Sequence, residues 1–222
     1  MLAFEDLLTV LIIVGVAAGA LALFAVLRRT PVSPAVEAVG RGDFEGALAG
    51  ARTGAKAGRD ELLAAAVAAK HLLRLDESRA LLARVLARDP SDGEAWLEAG
   101  LAAAYAGDWP AADRALAEAA ARRSDLAESI TLHRAWVELK KNGVREARHL
   151  FDEVETSLEN KLRTDLGGGE PLFAEWFLQA AELWAAFGDE ERANWAREEG
   201  RRSAIGSRLP EILGPPGVET PG

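Results

Sequence analysis

The chain contains no cysteine, which removes disulfides, thiolate-bound zinc, dithiol redox chemistry and cysteine nucleophiles together. Histidine is scarce: His71, His133 and His149 are widely spaced. His149 and Glu153 lie four apart on a predicted helix, but no second histidine joins them, and a metal centre needs three or four convergent ligands. Aromatic residues make up 6% of the chain and β-branched residues are sparse, so no stretch after the first thirty residues alternates apolar and polar as a strand does. A phosphate loop is also missing. "GARTGAKAG" (Gly50 to Gly58) lacks the G-x-x-x-x-G-K-[ST] pattern and has no strand to present it, and "GRGDFEG" at Gly40 reads as a helix-to-helix turn. Acidic residues are plentiful, but the sequence places none on an apolar background that would raise its pKa. These absences predict a non-enzymatic protein with no cofactor and no metal.

Positive charge is in deficit too. The formal net charge is −9; Glu5 and Asp6 cancel Arg28 and Arg29, so the whole excess falls after residue 30. Such a domain is repelled by nucleic acid and by anionic lipid headgroups. No nucleic-acid partner is expected, and membrane contact must come from elsewhere in the chain.

What is abundant is alanine, leucine, arginine and glutamate, a helical vocabulary. The longest apolar run is "LLTVLIIVGVAAGALALFAVL", Leu7 to Leu27, with Thr9 its one polar side chain. As a helix it is about 31 Å long, matching a hydrocarbon core of about 30 Å. A cleaved signal peptide would have a basic flank and a shorter core; here the flank is acidic. Residues 1–6 are therefore expected outside the cytoplasm, 7–27 as a transmembrane helix, and the remainder inside, with Arg28 and Arg29 retained on the cytoplasmic side. Gly15 and Gly19 form a G-x-x-x-G pair that can pack membrane helices, although glycine is also common in such helices. Residues 28–34, with Pro31 and Pro34, read as a short stiff linker. Residues 205–222 carry four prolines and four glycines between Gly206 and Gly222 and read as a disordered tail.

Between them the periodicity is helical. Gly42-Asp43, Gly107-Asp108, Asn142-Gly143 and Gly188-Asp189 each separate two apolar-periodic segments: glycine suits the residue after a helix, and aspartate caps the next. "SDGE" (Ser91 to Glu94) reads as a capping box, and Asp125 to Glu128 as a looser one. About ten helices follow, as stacked hairpins. The small residues Ala47, Ser78, Ala112, Ala147 and Ala193 recur at intervals of 31, 34, 35 and 46. The last interval holds an insertion, Glu155 to Pro171, expected to extend a long helix from Val144 and then break at Gly167 to Gly169. It reads as a linker or as part of a binding face.

In the best copy, Trp96, Ala99 and Gly100 precede Gly107-Asp108-Trp109, and Ala112, Leu116 and Ala119 follow. The preceding unit has Leu62, Ala66, Ser78, Leu82, Val85 and Asp89-Pro90; the next has Ala135, Ala147, Phe151 and Val154. The flanking units are thinner, with Phe177, Ala181 and Trp184 in the last, where Arg197 replaces a large apolar residue. This helix-turn-helix pattern resembles the tetratricopeptide repeat family. Ala103 departs from it, standing where an aromatic is usual. A generic helical bundle is the plain alternative.

The resemblance implies an all-α chain, with an α-solenoid of about five hairpins over residues 35–204. It also implies a concave groove for a protein partner, lined by Leu63, Val67, Lys70, His71, Leu97, Leu101, Tyr105, Leu132, Trp136 and Leu139. That would be an apolar trough with a basic patch at one end, suited to a peptide segment. Leu63, Val67 and Glu98 stand where members that clamp a C-terminal carboxylate want cationic or amide groups, which argues against that ligand. The expected role is a membrane-anchored scaffold or adaptor at the cytoplasmic face, similar in architecture to bacterial anchored repeat proteins of envelope assembly. A translocon-associated or exported-side chaperone, with the repeat domain outside the cytoplasm, and a structural subunit of a larger membrane complex are the other readings.

Overall fold

The computed structural model describes residues 33–53, 57–164 and 171–213. The expected membrane helix, with Gly15 and Gly19, lies outside the described residues, as do Gly167 to Gly169. Among the described residues no helix is long and apolar enough to cross a membrane.

Eleven α-helices and no strand occur among the described residues: α1 (Pro34–Gly40), α2 (Phe44–Thr53), α3 (Arg59–His71), α4 (Leu75–Arg88), α5 (Gly93–Tyr105), α6 (Trp109–Arg122), α7 (Ala127–Lys141), α8 (Val144–Asp152), α9 (Glu155–Thr164), α10 (Ala174–Ala186) and α11 (Glu190–Ser203). They pair as hairpins α1–α2, α3–α4, α5–α6, α7–α8 and α10–α11, the arrangement of a helical solenoid. Four of the five turns carry the glycine that the sequence marks. Gly42, Gly107, Gly143 and Gly188 all have φ between 75° and 97°, a conformation glycine adopts without strain. After three of them the aspartate caps the next helix: Asp43, Asp108 and Asp189 accept from the backbone N–H groups of Gly46, Ala111 and Arg192 at 2.9, 3.2 and 3.0 Å. The α3–α4 turn has no glycine. Leu73 takes its place at φ 57°, a left-handed conformation that costs an L-residue about 1–2 kcal/mol.

The repeat register holds in the packing. Ala47, Ser78, Ala112, Ala147 and Ala193 are all fully buried. Ser78 is tolerated in this row because its hydroxyl donates to the Ala66 carbonyl at 2.8 Å, leaving no unpaired polar group. Gly100 lets α5 approach α6: a Cβ there would lie 2.8 Å from Leu116 Cγ. Gly200 does the same for α11, against Leu178.

Four expectations need correction. The cap of α5 is Asp92, which accepts from the Ala95 N–H at 3.0 Å; the Ser91 hydroxyl is engaged with Asp89. At Asp125 the chain forms a 3-10 turn, Ser124–Leu126, and α7 starts without a side-chain cap. The helix from Val144 breaks at Glu153-Val154, and α9 is no linker. Leu158 and Leu162 are fully buried, while Glu155 and Glu159 hold Arg192 at 3.0 and 3.1 Å. Finally, residues 205–213 are packed. A 3-10 turn, Leu209–Glu211, buries Leu209, and Leu213 follows it into the core. The Arg208 N–H donates to the His71 carbonyl at 2.8 Å. Two large apolar side chains four apart outweigh the surrounding proline and glycine, since each buried leucine contributes about 1.5–3 kcal/mol. Residues 214–222 lie outside the described residues.

Candidate functional site

The residues expected to line a concave groove sit on α3, α5 and α7, as the repeat register requires. Their side chains are spent inside the fold. Leu63, Lys70, His71, Leu97, Leu101, Leu132 and Trp136 are buried, and Val67, Tyr105 and Leu139 are half-buried. Across them lies α10. Its Glu175, Gln179 and Glu182, spaced four and three apart, share one helix face, and each meets an expected groove residue or a neighbour of one.

Lys70 Nζ lies 2.7 Å from Glu175 Oε2 and 2.8 Å from Glu98 Oε2. The second contact is an ion pair only: Glu98 Oε2 accepts no hydrogen bond. The Tyr105 hydroxyl donates to Glu175 Oε1 and accepts from Gln179 Nε2 at 2.8 Å. Since Gln179 donates through its nitrogen, its Oε1, 2.7 Å from His133 Nδ1, accepts. His133 therefore carries its proton on Nδ1, and Nε2 accepts from the Ser129 hydroxyl at 3.1 Å. Further along, Trp136 Nε1 donates to Glu182 Oε2 at 2.7 Å, and Lys140 pairs with the same carboxylate at 2.5 Å.

The electrostatics follow from burial and pairing. Burial alone lowers the Lys70 pKa, but Glu175 and then Glu98 outweigh it, so the ammonium is held above its ordinary value. Burial pushes Glu175 up, and Lys70 followed by His133 and His71 brings it below the usual carboxylate range. Glu98 stays raised because burial, aided by Glu175, exceeds the pull of Lys70. Burial raises the Tyr105 phenol, and Glu175 raises it further. His71, stacked on Phe44 with centroids 4.4 Å apart, is pushed down to about 3 by burial and by Lys70. Burial likewise lowers His133. The basic patch expected at Lys70 and His71 is thus absent from the surface: one charge is neutralised by two carboxylates, and the imidazole is uncharged at neutral pH.

Ser129, His133 and Gln179 have the order of nucleophile, base and orienting group, but all three are buried, so the arrangement ties α7 to α10 instead of presenting a reactive hydroxyl. Sequence reasoning missed this network. Its trace is the polar stripe Glu175, Gln179 and Glu182 in the otherwise apolar segment of α10. Among the described residues no group of His, Asp and Glu could hold a metal ion.

Between α4, α5 and α6 lies an apolar cleft of about 230 Å³. Leu82 and Leu86 form one wall and the Trp96 indole another. Ala99, Ala103, Ala111 and Ala115 make the floor, with Arg79 and Arg114 at the edges. The space exists because the floor is alanine, including Ala103 at the position where an aromatic is usual. Trp96 is fixed by its Nε1 donating to the Pro90 carbonyl at 2.9 Å. Arg79 is paired with Asp108 at 3.2 Å, whereas Arg114 has no ion pair or hydrogen bond among the described residues. The volume falls below the roughly 300–1,000 Å³ of small-molecule sites and suits an apolar side-chain anchor.

No family model matches the chain, and no curated protein matches it. Among solved structures, one titled MamA AMB-1 is similar at 16% identity, covering 83% of this chain and 95% of that one, with a TM-score of 0.43. So distant a likeness carries no function across.

Proposed function

We propose that this chain is a non-enzymatic protein-interaction scaffold of the tetratricopeptide repeat type. It is anchored by Leu7 to Leu27 and presents its solenoid at the cytoplasmic face of a membrane, in the assembly or regulation of membrane or envelope complexes. The observation that carries the reading is the apolar cleft between α4, α5 and α6, set in a framework whose expected groove residues are already taken up by packing and by bonds to α10. Recognition therefore moves from the expected groove residues to this cleft. The occupant is a peptide segment of a protein partner. It places a large apolar side chain against Leu82, Leu86 and Trp96 and an acidic residue against the unpaired Arg114 at the cleft's edge.

The test uses the full chain in mild detergent. Proteins captured by the unaltered chain should be lost from both Arg114→Glu, which reverses the charge, and Ala99→Leu, which fills the cleft. An unchanged capture profile in both variants sinks the cleft reading. Topology is tested separately: a C-terminal alkaline phosphatase fusion should be inactive, and an active fusion overturns the cytoplasmic placement.

A further inference from the structure

Five large apolar side chains stand exposed among the described residues: Val36, Val144, Leu172, Ile205 and Ile212. Scattered singly, such residues need no explanation. Four of the five, however, lie on elements that meet where the two ends of the helical array close on each other. Val36 is on α1, which packs against the 3-10 turn Pro171–Phe173 carrying Leu172. Ile205 follows α11, and Ile212 follows the turn Leu209–Glu211. The closure is tight: a Cβ on Gly42 would lie 2.6 Å from the Ile205 carbonyl oxygen and 3.3 Å from Pro171 Cγ. Ile205, at 60% exposure, is the most prominent.

The charges on these elements are largely neutralised in place. Arg41 pairs with Glu37 at 3.7 Å, Arg202 with Glu199 at 2.8 Å and Arg208 with Glu211 at 2.8 Å. The four apolar side chains are thus set among exposed ion pairs, with Arg201 exposed beside them, on a chain of net charge −9. The seam they form also begins where the chain leaves its expected anchor. Val36 follows Leu27 by nine residues, a covalent reach of at most about 30 Å.

We propose that this seam is the surface by which the solenoid lies against the lipid bilayer, with Ile205, Ile212, Leu172 and Val36 at headgroup depth. The inference rests on the anchored part of the functional reading. Binding is driven by apolar burial and not by anionic lipid, so uncharged phosphatidylcholine suffices.

The absence of cysteine makes single-label experiments clean. The full chain carrying Ile205→Cys, Leu172→Cys or, as control, Val144→Cys is coupled to an environment-sensitive fluorophore and reconstituted into phosphatidylcholine vesicles containing brominated lipid. Labels at 205 and 172 should shift to the blue, lose most of their emission to brominated lipid and be shielded from aqueous iodide. The label at 144 should do the reverse. Labels at 205 and 172 that behave like the one at 144 overturn the proposal. So does a seam label that shifts with protein concentration in lipid-free detergent, which would make the seam a contact between copies. Alkaline carbonate extraction of the same vesicles reports on the anchor independently. Chain retained with aqueous seam labels defeats the seam alone; chain released with lipid-quenched labels defeats the anchor alone.

Discussion

The first helices of the hairpins (α3, α5, α7, α10) and the second helices (α4, α6, α8, α11) share one repeat pattern but have opposite fates. The second helices each contribute a small buried residue, Ser78, Ala112, Ala147 or Ala193, and keep their outer faces in solvent. The first helices turn polar and aromatic side chains toward one another, so that Lys70, Tyr105 and His133 meet Glu175 and Gln179 from distant parts of the chain. A buried ion pair and its hydrogen bonds hold the first row, and alanine packing holds the second against it. The row that looks like a binding face is largely core, and the accessible cleft opens where the second helices α4 and α6 meet α5.

The largest effect should come from breaking the first row. Lys70→Ala leaves buried Glu175 and half-buried Glu98 without their cation and is expected to cost about 3–5 kcal/mol, read as a lowered urea midpoint. A loss under about 1 kcal/mol would falsify the view that this row is the core. Next is the contact between rows. Gly100→Val forces a side chain into Leu116 and should cost about 1–3 kcal/mol. Gly200→Val, against Leu178 and Phe177, should cost a similar amount, because the same approach is built there from the second helix. A loss at only one of these positions would show that the two hairpins are not packed alike.

Acid sharpens the contrast further. His71 titrates near 3 in the folded chain against an ordinary value of 6.5, so between those values the unfolded chain binds a proton that the folded chain does not. Its contribution is intact above pH 6.5 and is lost as pH falls toward 3, at up to about 1.4 kcal/mol per pH unit. His133 acts in the same direction. Urea unfolding at a series of pH values should show this slope, and His71→Phe should flatten it; an unchanged slope would place the protonation elsewhere. The smallest effect on stability is expected from the second row: Arg114→Glu should change it by less than about 0.5 kcal/mol while abolishing partner capture. A large loss of stability instead would make Arg114 structural.

Much of the fold was legible, and for local reasons. Glycine at four turns, aspartate caps after three of them, and small residues in the second helices are signals written within a few residues of where they act. The α3–α4 turn was illegible because Leu73 adopts the turn conformation without the residue that advertises it. Ser91 looked like a cap but lost to Asp92, which also meets Arg59 at 2.7 Å; that partner lies 33 residues away and is invisible to a local pattern. The C-terminal segment was misjudged because composition averaged Leu209 and Leu213 with their prolines and glycines. Half of the candidate cleft could be read: Ala103 was visibly too small for its position, but the wall from α4 could not be assigned.

The sequence by itself determined four of the five hairpin turns, how the helices flanking them pair, and which small residues lie between them, since these follow from periodicity, capping and backbone freedom over one or two turns. Only the tertiary structure decided which face is free. The way successive hairpins rotate sets whether the first helices enclose a groove or close around α10, and that rotation is the sum of small packing choices over the whole array. The closure brings Lys70 to Glu175, 105 residues apart, and no local pattern carries a signal over such a distance.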